Sequence, residues 1–330
     1  MMISAARGCL FGGIVGDAFG SPYQFRTRGS FAVTPDMEPC ENFRTPAGAF
    51  TDDSSMMLCL ARSLTVAGFD VADQMHRYGR WLCHGYMSSM THAFDIGVAT
   101  RTSIMAYAQD ETGSAAERAA LCGYGLVGER YRGNGGIMRL APSVVFAVTE
   151  TEAIDMARRQ CAVTHADPVC TDCAGLMARV LWRLLHGAPK DAAVDLTSEA
   201  DLVHPAAREL CLGELPGGLP GGLLGGPPRG WKAKCVNDIS TSGYVVDTLE
   251  AALWALWTTD NYEEGVMLLA SLGDDADTTC CVFGQLAGAL YGHEGVPKRW
   301  ESLLQCPEMV DTVVEDFLAA AETRDGRQAE

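Results

Sequence analysis

Two short acidic clusters, each at the start of an apolar segment with helical spacing, constrain this chain more than any other feature. The first is Thr51-Asp52-Asp53-Ser54, and the second, near the other end of the chain, is Asp274-Asp275-Ala276-Asp277-Thr278-Thr279. Apolar residues follow each cluster at intervals of three and four positions, which predicts an amphipathic helix after both. The fold must therefore accommodate neighbouring carboxylates at the first turns of two helices.

Helical periodicity dominates the rest of the chain as well. Strand-like alternation is scarce, and the short candidate Phe31-Ala32-Val33-Thr34 is closed by Pro35. We therefore predict an all-α fold, a compact single-domain multi-helix bundle. Further helices are expected through Val246, Leu249, Leu253 and Leu256, and near residues 4–18, 70–85, 95–109, 152–164, 170–186, 262–271 and 278–291.

The predicted domain spans residues 1–320. A Gly/Pro-rich segment at about 213–230 cannot continue a helix. It is interpreted as an irregular insertion, because the motifs on its two sides belong together; a linker between two domains is the alternative. The last ten residues, 321–330, are charged and are expected to form a frayed tail.

The charge balance excludes one class of partner. The chain has 25 basic and 42 acidic residues, which give a net charge of −17. This charge repels a polyphosphate backbone, so nucleic acid is not an expected partner. No apolar run approaches the roughly 20 residues that a membrane span requires, so no membrane is expected either. An anionic small molecule would have to be neutralised locally by metal ions, helix N-termini or a few arginines.

The cysteines indicate a reducing environment. The chain has 13 of them, scattered along apolar helix faces, and we interpret them as reduced thiols in the core. Cys170 and Cys173 have the spacing of zinc ligands, but no second pair lies nearby, so zinc is not expected. The first residues lack the charged and apolar regions of a secretory signal, and the expected location is the cytoplasm.

Each acidic cluster has a metal-binding interpretation and a purely structural one. Carboxylates flanked by hydroxyl groups supply the oxygen ligands that Mg²⁺ and Mn²⁺ prefer. A helix N-cap looks similar, but it needs only one such residue, and adjacent carboxylates repel each other unless a cation lies between them. If the clusters converge, they predict a two-metal hydrolase. The run 275–279 also matches the Asp-x-Asp-x-Thr signature of haloacid dehalogenase phosphatases, which would require a buried strand before it.

Several polar stretches between the clusters are candidates for a substrate pocket. Asp95 lies on an otherwise apolar run, where an N-cap or a pair with Arg101 is the alternative to catalysis. The loop Gly133-Asn134-Gly135-Gly136 offers clustered backbone N–H groups that suit a phosphate or a ribose. His165 follows a predicted helix, and a lone histidine there is more often structural than catalytic. Ser242-Gly243-Tyr244 precedes another helix, so Tyr244 is either a stacking aromatic residue or part of a helix entry.

Taken in order, these motifs resemble the ADP-ribosylglycohydrolase family, from about residue 6 to residue 303. The segments that carry the resemblance are Gly16-Asp-Ala-Phe-Gly-Ser-Pro-Tyr-Gln-Phe25, Phe50-Thr-Asp-Asp-Ser54, Phe94-Asp-Ile-Gly97, Gly133-Asn-Gly-Gly136 with Met138-Arg-Leu-Ala-Pro142, Thr164-His165, Ser242-Gly-Tyr-Val-Val-Asp-Thr-Leu-Glu250, and Gly273-Asp-Asp-Ala-Asp-Thr-Thr279 with Gly284-Gln-Leu-Ala-Gly-Ala-Leu-Tyr-Gly292. The order of the motifs is more specific than any one of them.

The resemblance implies a hydrolase that cleaves the C1″ bond between ADP-ribose and an acceptor, with two divalent cations, Mg²⁺ or Mn²⁺, as cofactors. The acceptor would be a protein side chain such as arginine or serine, or a small ADP-ribose ester, so the partner would be ADP-ribose or an ADP-ribosylated protein. Expected catalytic residues are Asp53, Asp95 and Asp275. Expected metal ligands are Thr51, Asp52, Asp53, Asp275, Asp277 and Thr278. Expected substrate contacts are Gln24, Asn134, Gly135, Gly136, His165, Ser242, Gly243 and Tyr244.

Gln24 departs from the family pattern, because many members place a glutamate at this position of the first motif. Loss of that ionisable group leaves open a non-catalytic alternative, in which the chain binds ADP-ribose and metal or is purely structural. Arg132, just before Gly133, is a second departure and could pair with the diphosphate.

Overall fold

The computed structural model describes residues 1–109, 113–123, 126–196, 202–212 and 230–328. Within these ranges the chain is helical, and its only β-type pairings are isolated bridges between Cys40 and Thr45 and between Gly133 and Tyr244. The α-helices, numbered in chain order, are α1 (Ile3–Gly20), α2 (Asp52–Ala67), α3 (Val71–His84), α4 (Val98–Gln109), α5 (Ala115–Leu121), α6 (Ala141–Phe146), α7 (Glu150–Ala162), α8 (Pro168–Leu185), α9 (Lys190–Ala193), α10 (Pro205–Leu212), α11 (Val245–Thr258), α12 (Tyr262–Ala270), α13 (Ala276–Tyr291), α14 (Lys298–Glu301) and α15 (Pro307–Gln328).

The all-α prediction is confirmed. All nine helices that periodicity indicated are present, with ends within a few residues of the predicted ones. The largest difference is the start of α4, which was expected at residue 95 but lies at Val98, because Asp95 has a φ of 58° and cannot belong to a right-handed helix. The Gly/Pro-rich segment lies outside the described residues, except for Gly230. No described helix is both long and apolar enough to cross a membrane.

Helices α1 and α13 pack backbone against backbone in antiparallel directions. Glycines recur at every fourth position of α1 and face two glycines of α13. A Cβ atom at Gly12 would lie 2.3 Å from the carbonyl oxygen of Gly284, and one at Gly16 would lie 2.3 Å from that of Cys280. Only residues without a side chain permit this approach. It brings the second acidic cluster, at the start of α13, beside the end of α1.

Helix α15, the last described helix, packs against α2. Arg62 of α2 forms an ion pair with Asp316 at 2.6 Å, and Arg324 donates a hydrogen bond to the carbonyl oxygen of Phe146 at 2.8 Å. Arg324 also pairs with Glu152. These contacts fix α15 as far as Arg324. The helix itself continues to Gln328, and the charged tail at 321–330 stays a prediction.

The cysteine interpretation agrees with the packing. None of the 13 cysteines forms a disulfide, and most are buried among apolar side chains. Burial raises the pKa of both Cys170 and Cys173, so neither thiol is predisposed to bind zinc as a thiolate.

Candidate active site

The first turns of α2 and α13 meet the end of α1 at a cleft of about 450 Å³. The loop before α4, the Gly-rich loop at 133–136 and the loop before α11 form its other walls. The residues expected at the site that line this cleft are Gln24, Asp52, Asp53, Asp95, Asn134, Gly135, His165, Gly243, Asp275, Asp277 and Thr278. The two acidic clusters therefore converge on one cleft.

The acidic run 275–279 opens helix α13, and the described part of the chain contains no strand before it. This context removes the haloacid dehalogenase alternative, which needs a buried strand at that position.

Asp17 fixes the start of α2 from the neighbouring helix. Its carboxylate accepts hydrogen bonds from the backbone N–H groups of Thr51 and Ser54, both at 3.0 Å, and from the hydroxyl groups of the same two residues at 2.9 and 2.5 Å. Asp17 thus caps α2 in trans, and the first acidic cluster is held at the end of α1. Burial raises the pKa of Asp17 to about 6, although these hydrogen bonds oppose the shift.

The cleft contains oxygen atoms that lack a hydrogen-bond donor among the described residues. They are Asp53 Oδ2, Asp277 Oδ1, Asp95 Oδ2 and Gln24 Oε1. A buried acceptor without a partner costs about 1–3 kcal/mol, so four in one cleft call for a ligand. Carboxylate and amide oxygens are the donors that hard divalent cations take, so the residues present fit Mg²⁺ or Mn²⁺.

One carboxylate oxygen from each of Asp17, Asp53 and Asp277 lies within 4.8 Å of the other two. Asp17 already accepts several hydrogen bonds, whereas Asp53 and Asp277 each retain an oxygen without a donor. Asp53 and Asp277 are therefore the better cation ligands of the three, and Asp17 supports them.

The electrostatics of the cleft also favour a cation. Burial and the neighbouring carboxylates raise the pKa values of Asp52, Asp53 and Asp277 well above the usual range. Burial raises the pKa of Asp275 to about 6, against the hydrogen bond from Asn134. A divalent cation would relieve this repulsion and hold the carboxylates ionised. The positive ends of two 16-residue helices, α2 and α13, add to the same effect.

Asn134 serves the acidic cluster directly. Its side-chain amide donates to Asp275 Oδ2 at 2.5 Å and to Thr248 Oγ1 at 2.9 Å, and its backbone N–H donates to the Gly243 carbonyl oxygen at 3.2 Å. These bonds use its amide hydrogens within the protein. Asn134 therefore orients Asp275, and its expected contact with the substrate stays a prediction.

Strained backbone surrounds the cleft. Phe25, Asp95 and Asp274 have φ values of 62°, 58° and 58°. Such values are uncommon for residues other than glycine and persist only where surrounding structure enforces them. The backbone N–H of Phe25 donates to the Asp274 carbonyl oxygen at 2.6 Å, and the backbone N–H of Asp274 donates to the Arg26 carbonyl oxygen at 3.0 Å. These bonds tie the loop after α1 to the loop before α13.

His165 packs against the Gly-rich loop. A Cβ atom at Gly135 would lie 2.5 Å from His165 Cε1, so a side chain at position 135 is excluded. Among the described residues, none accepts a hydrogen bond from the Gly135 N–H. This part of the cleft therefore offers an unused backbone donor next to an imidazole ring.

Some expected site residues do not line the cleft. Thr51 is fully buried, and its hydroxyl donates to Asp17, so its role as a metal ligand stays a prediction. Gly136 packs against Cys161. Ser242 donates to Asp247 at 2.6 Å, and Tyr244 pairs with the Gly-rich loop through its backbone.

Two charged residues were missed at the site, and a third had been given another role. The sequence does carry a signal for Asp17, which is an aspartate near the end of a helix with glycine at every fourth position. Arg130 brings a guanidinium to the cleft. Arg132 does not line the cleft; its Nε donates to Asp167 Oδ2 at 3.2 Å, and its pairing with the diphosphate stays a prediction. No signal in the sequence distinguished Arg130 from Arg132.

Comparison with known proteins agrees with this geometry. A family model described as ADP-ribosylglycohydrolase matches residues 2–327. The chain is 34% identical over 325 residues to ADP-ribosylarginine hydrolase Tri1 of Pseudomonas putida (strain GB-1), with 97% of this chain and 79% of the relative covered. It is 27% identical to the ADP-ribosyl-[dinitrogen reductase] glycohydrolase of Rhodospirillum rubrum, with 91% and 90% covered.

A solved structure gives the same result. The structure titled ADP-ribosylglycohydrolase-related protein complex superimposes with a TM-score of 0.78 at 33% sequence identity, and the match covers 96% of this chain and 98% of that one.

Proposed function

The chain belongs to the ADP-ribosylglycohydrolase family, and on that premise we propose that it hydrolyses the bond between C1″ of ADP-ribose and an arginine side chain of a modified protein, with two divalent cations as cofactors. The observation that carries the proposal is the set of unpartnered oxygens, drawn from both acidic clusters and from Gln24, in one cleft. An acid-rich cleft of this kind suits a reaction in which positive charge develops on the sugar.

We assign cation binding to Asp52, Asp53, Asp275, Asp277 and Thr278, with the Gln24 amide oxygen as a further donor. When bound, Mg²⁺ or Mn²⁺ supplies Lewis-acid chemistry, because it withdraws electron density from oxygen and lowers the pKa of water. Asn134 contributes by holding Asp275 in one orientation, as outer partners of metal ligands commonly do.

Asp95 is the proposed proton carrier. Its Oδ2 has no donor, and Gln24 and Asp277 lie within hydrogen-bonding reach of its carboxylate. Burial raises its pKa, which suits a group that must both accept and release a proton. Water forms the new bond to C1″ while the bond from C1″ to the arginine nitrogen breaks. Asp95 takes the proton from the water and returns it to that nitrogen.

The rest of ADP-ribose would be held on the other side of the cleft. The Gly135 N–H, the His165 ring and the Arg130 guanidinium border this part, and together they suit the oxygens of a ribose and a diphosphate. The negative charge of the diphosphate is thereby kept away from the carboxylates.

The preference for arginine rests on two kinds of support. The relatives with 34% and 33% identity are both named as ADP-ribosylarginine hydrolases. In addition, Phe25, 65% exposed, and the exposed Asp274 form a ridge between the cleft and a second cavity of about 490 Å³. An aromatic face and a carboxylate suit a guanidinium group.

The second cavity would take the polypeptide around that arginine. Its own cations are engaged: Arg28 donates to the carbonyl oxygens of Val236 and Ile239, and Arg26 lies over the Tyr23 ring. They therefore compete little with an incoming guanidinium for Asp274.

A substrate panel tests the proposal. The purified chain, with Mg²⁺ or Mn²⁺, is given an arginine-ADP-ribosylated protein, a serine-ADP-ribosylated peptide, ADP-ribose 1″-phosphate and O-acetyl-ADP-ribose. Release of ADP-ribose is expected with the arginine linkage at a kcat/KM at least about tenfold above the others. Tight binding of ADP-ribose without release from any substrate would instead favour the non-catalytic alternative.

The ridge is tested separately. Phe25→Ala and Asp274→Ala should raise KM for the arginine-modified protein and leave the affinity for free ADP-ribose unchanged. Asp155→Asn, at an exposed site on α7, is the control. Equal KM values for all three variants and the wild type would remove the ridge from the account.

A further inference from the structure

Arg139 is a fully buried cation. Its guanidinium donates to the Gln160 side-chain and carbonyl oxygens at 3.2 and 3.1 Å, and to Thr164 Oγ1 at 2.7 Å. Its central carbon lies 4.9 Å from the centroid of the Tyr78 ring. Among the described residues, no carboxylate forms an ion pair with it; its Nη1 instead lies 3.9 Å from Met56 Sδ. A buried arginine held only by neutral groups is costly, so its position needs an explanation.

Thr164 connects this cation to the cleft. Its hydroxyl accepts from Arg139 and lies 2.9 Å from His165 Nδ1. Both groups are buried: Thr164 has no exposed surface, and His165 is 4% exposed. Each buried proton of Arg139, Thr164 and His165 therefore needs an acceptor, and this requirement fixes which of the three groups donates and which accepts.

Arginine only donates, so one lone pair of Thr164 Oγ1 is occupied by Arg139. If His165 Nδ1 carried a proton, it would also donate to Oγ1, and none of the described residues would accept the hydroxyl proton. An unpaired buried donor costs about 1–3 kcal/mol. The favourable arrangement is the one in which the Thr164 hydroxyl donates to an unprotonated Nδ1, which leaves the ring proton on Nε2.

We infer that Arg139, acting through Thr164, holds His165 as the neutral tautomer with its proton on Nε2, as a fixed hydrogen-bond donor to an oxygen atom of bound ADP-ribose. Nε2 borders the Gly-rich loop, 3.1 Å from a Cβ position at Gly135 and 3.4 Å from one at Gly133. His165 itself lines the cleft. Arg139 and Thr164 are positioning residues, and His165 does not act as the general acid or base.

The electrostatics support this assignment. Burial, together with the positive charge of Arg139, lowers the pKa of His165 to about 3. A second proton on the ring would place a cation beside a buried guanidinium, so the ring stays neutral across the physiological range. The tautomer does not depend on the proposed function; only the identity of the bound oxygen acceptor does.

Long-range ¹H–¹⁵N correlation spectra of the protein labelled in its seven histidines test the inference. Comparison with His165→Gln identifies the signals of His165. The expected pattern is one protonated and one unprotonated nitrogen, with Nε2 protonated, unchanged from pH 5.5 to 8. Protonation on Nδ1, or titration of the ring within this range, would overturn the inference.

Variants of Thr164 supply the second readout. Thr164→Val should allow both tautomers of His165 and weaken ADP-ribose binding about tenfold, because one hydrogen bond is lost. Thr164→Ser keeps the hydroxyl group and should keep the wild-type spectrum and affinity. An unchanged tautomer in Thr164→Val would contradict the relay. If Thr164→Val does not fold, the wild-type and Thr164→Ser spectra still test whether the ring proton of His165 lies on Nε2. Because the spectra are recorded without substrate, absence of turnover leaves this test intact.

Discussion

At the scale of single residues, Gln24 decides how far this chain follows its family. Its side chain is buried beside the acidic cleft, and its Oε1 has no donor among the described residues. An amide oxygen donates to a cation more weakly than a carboxylate, because it carries no net charge. Gln24 therefore keeps an oxygen atom at this position but lacks the negative charge of a glutamate.

Replacement of Gln24 tests this view. Gln24→Glu adds a charged oxygen at the same position, so Mn²⁺ should bind about tenfold more tightly, as measured by titration calorimetry at pH 7.5. Gln24→Leu, which removes the oxygen at similar volume, should weaken binding. Equal affinities in all three proteins would show that position 24 does not touch the cation.

Asp277 tests the ligand set itself. Asp277→Asn keeps the shape of the side chain and removes the charge, and we expect the affinity for Mn²⁺ to fall by more than about 100-fold, since outer partners alone are worth 10–100-fold. Asp155→Asn, at an exposed site that pairs with Arg159, should bind Mn²⁺ as the wild type does. If Asp277→Asn also binds normally, the metal assignment is wrong.

At the scale of helices, the glycines of α1 and α13 set the geometry of the site. Their contact brings Asp17 and Asp277 together, because α13 can approach α1 only where side chains are missing. Asp53 joins them through Asp17, which holds the start of α2. Small residues spaced four apart allow such close backbone contact in helix pairs generally.

A pair of alanine substitutions measures this contact. In Gly16→Ala the new Cβ would meet the Cys280 carbonyl oxygen at 2.3 Å, so we expect about 2–3 kcal/mol of destabilisation in chemical denaturation, together with weaker cation binding. Gly79→Ala is the matched control in α3, where the nearest atom would be 4.0 Å away. It should be neutral or stabilise the protein by up to about 1 kcal/mol. Equal effects of the two substitutions would contradict the packing account.

The positions of the helices were largely predictable from sequence, but the way in which the helices pack against each other was not. Periodicity located α2 and α13, because it reflects local burial of one helix face. The left-handed backbone at Asp95 escaped prediction, since it depends on contacts distant in sequence. The hydrogen bonds that engage Asn134 and Arg132 within the protein were also invisible, because a sequence does not tell which partner a polar side chain meets. The ordered motifs nevertheless identified most of the residues that line the cleft.

At the scale of the whole molecule, the acidic cleft should make stability depend on pH in an unusual direction. The pKa values of Asp17 and Asp275 are raised by burial to about 6, and burial with the neighbouring carboxylates raises the pKa values of Asp52, Asp53 and Asp277 well above the usual range. An unfolded aspartate titrates near about 3.9, so between these values the folded state binds more protons than the unfolded one. Stability that is present at low pH is therefore lost as the pH rises through the folded pKa values.

We expect the cation-free protein, in EDTA, to melt at a lower temperature at pH 7.5 than at pH 5.5. His165 opposes this trend, because its lowered pKa favours the folded state as the pH rises to about 6.5, but one histidine is outweighed by several carboxyls. Mg²⁺ or Mn²⁺ should raise the melting temperature most at pH 7.5, where the carboxylates are ionised. A melting temperature in EDTA that rises steadily from pH 5.5 to 7.5 would contradict the electrostatic account.

If this cleft hydrolyses an ADP-ribose linkage with divalent cations as cofactors, the release of ADP-ribose must depend on those cations. The most direct measurement is the release of free ADP-ribose from an arginine-ADP-ribosylated protein, followed over many turnovers in Mn²⁺, in EDTA, and in EDTA followed by excess Mn²⁺. The account predicts release in the first condition, loss in the second and recovery in the third, with Asp277→Asn inactive throughout. Equal release in EDTA and in Mn²⁺, or no release in any condition by a protein that binds ADP-ribose, would contradict it.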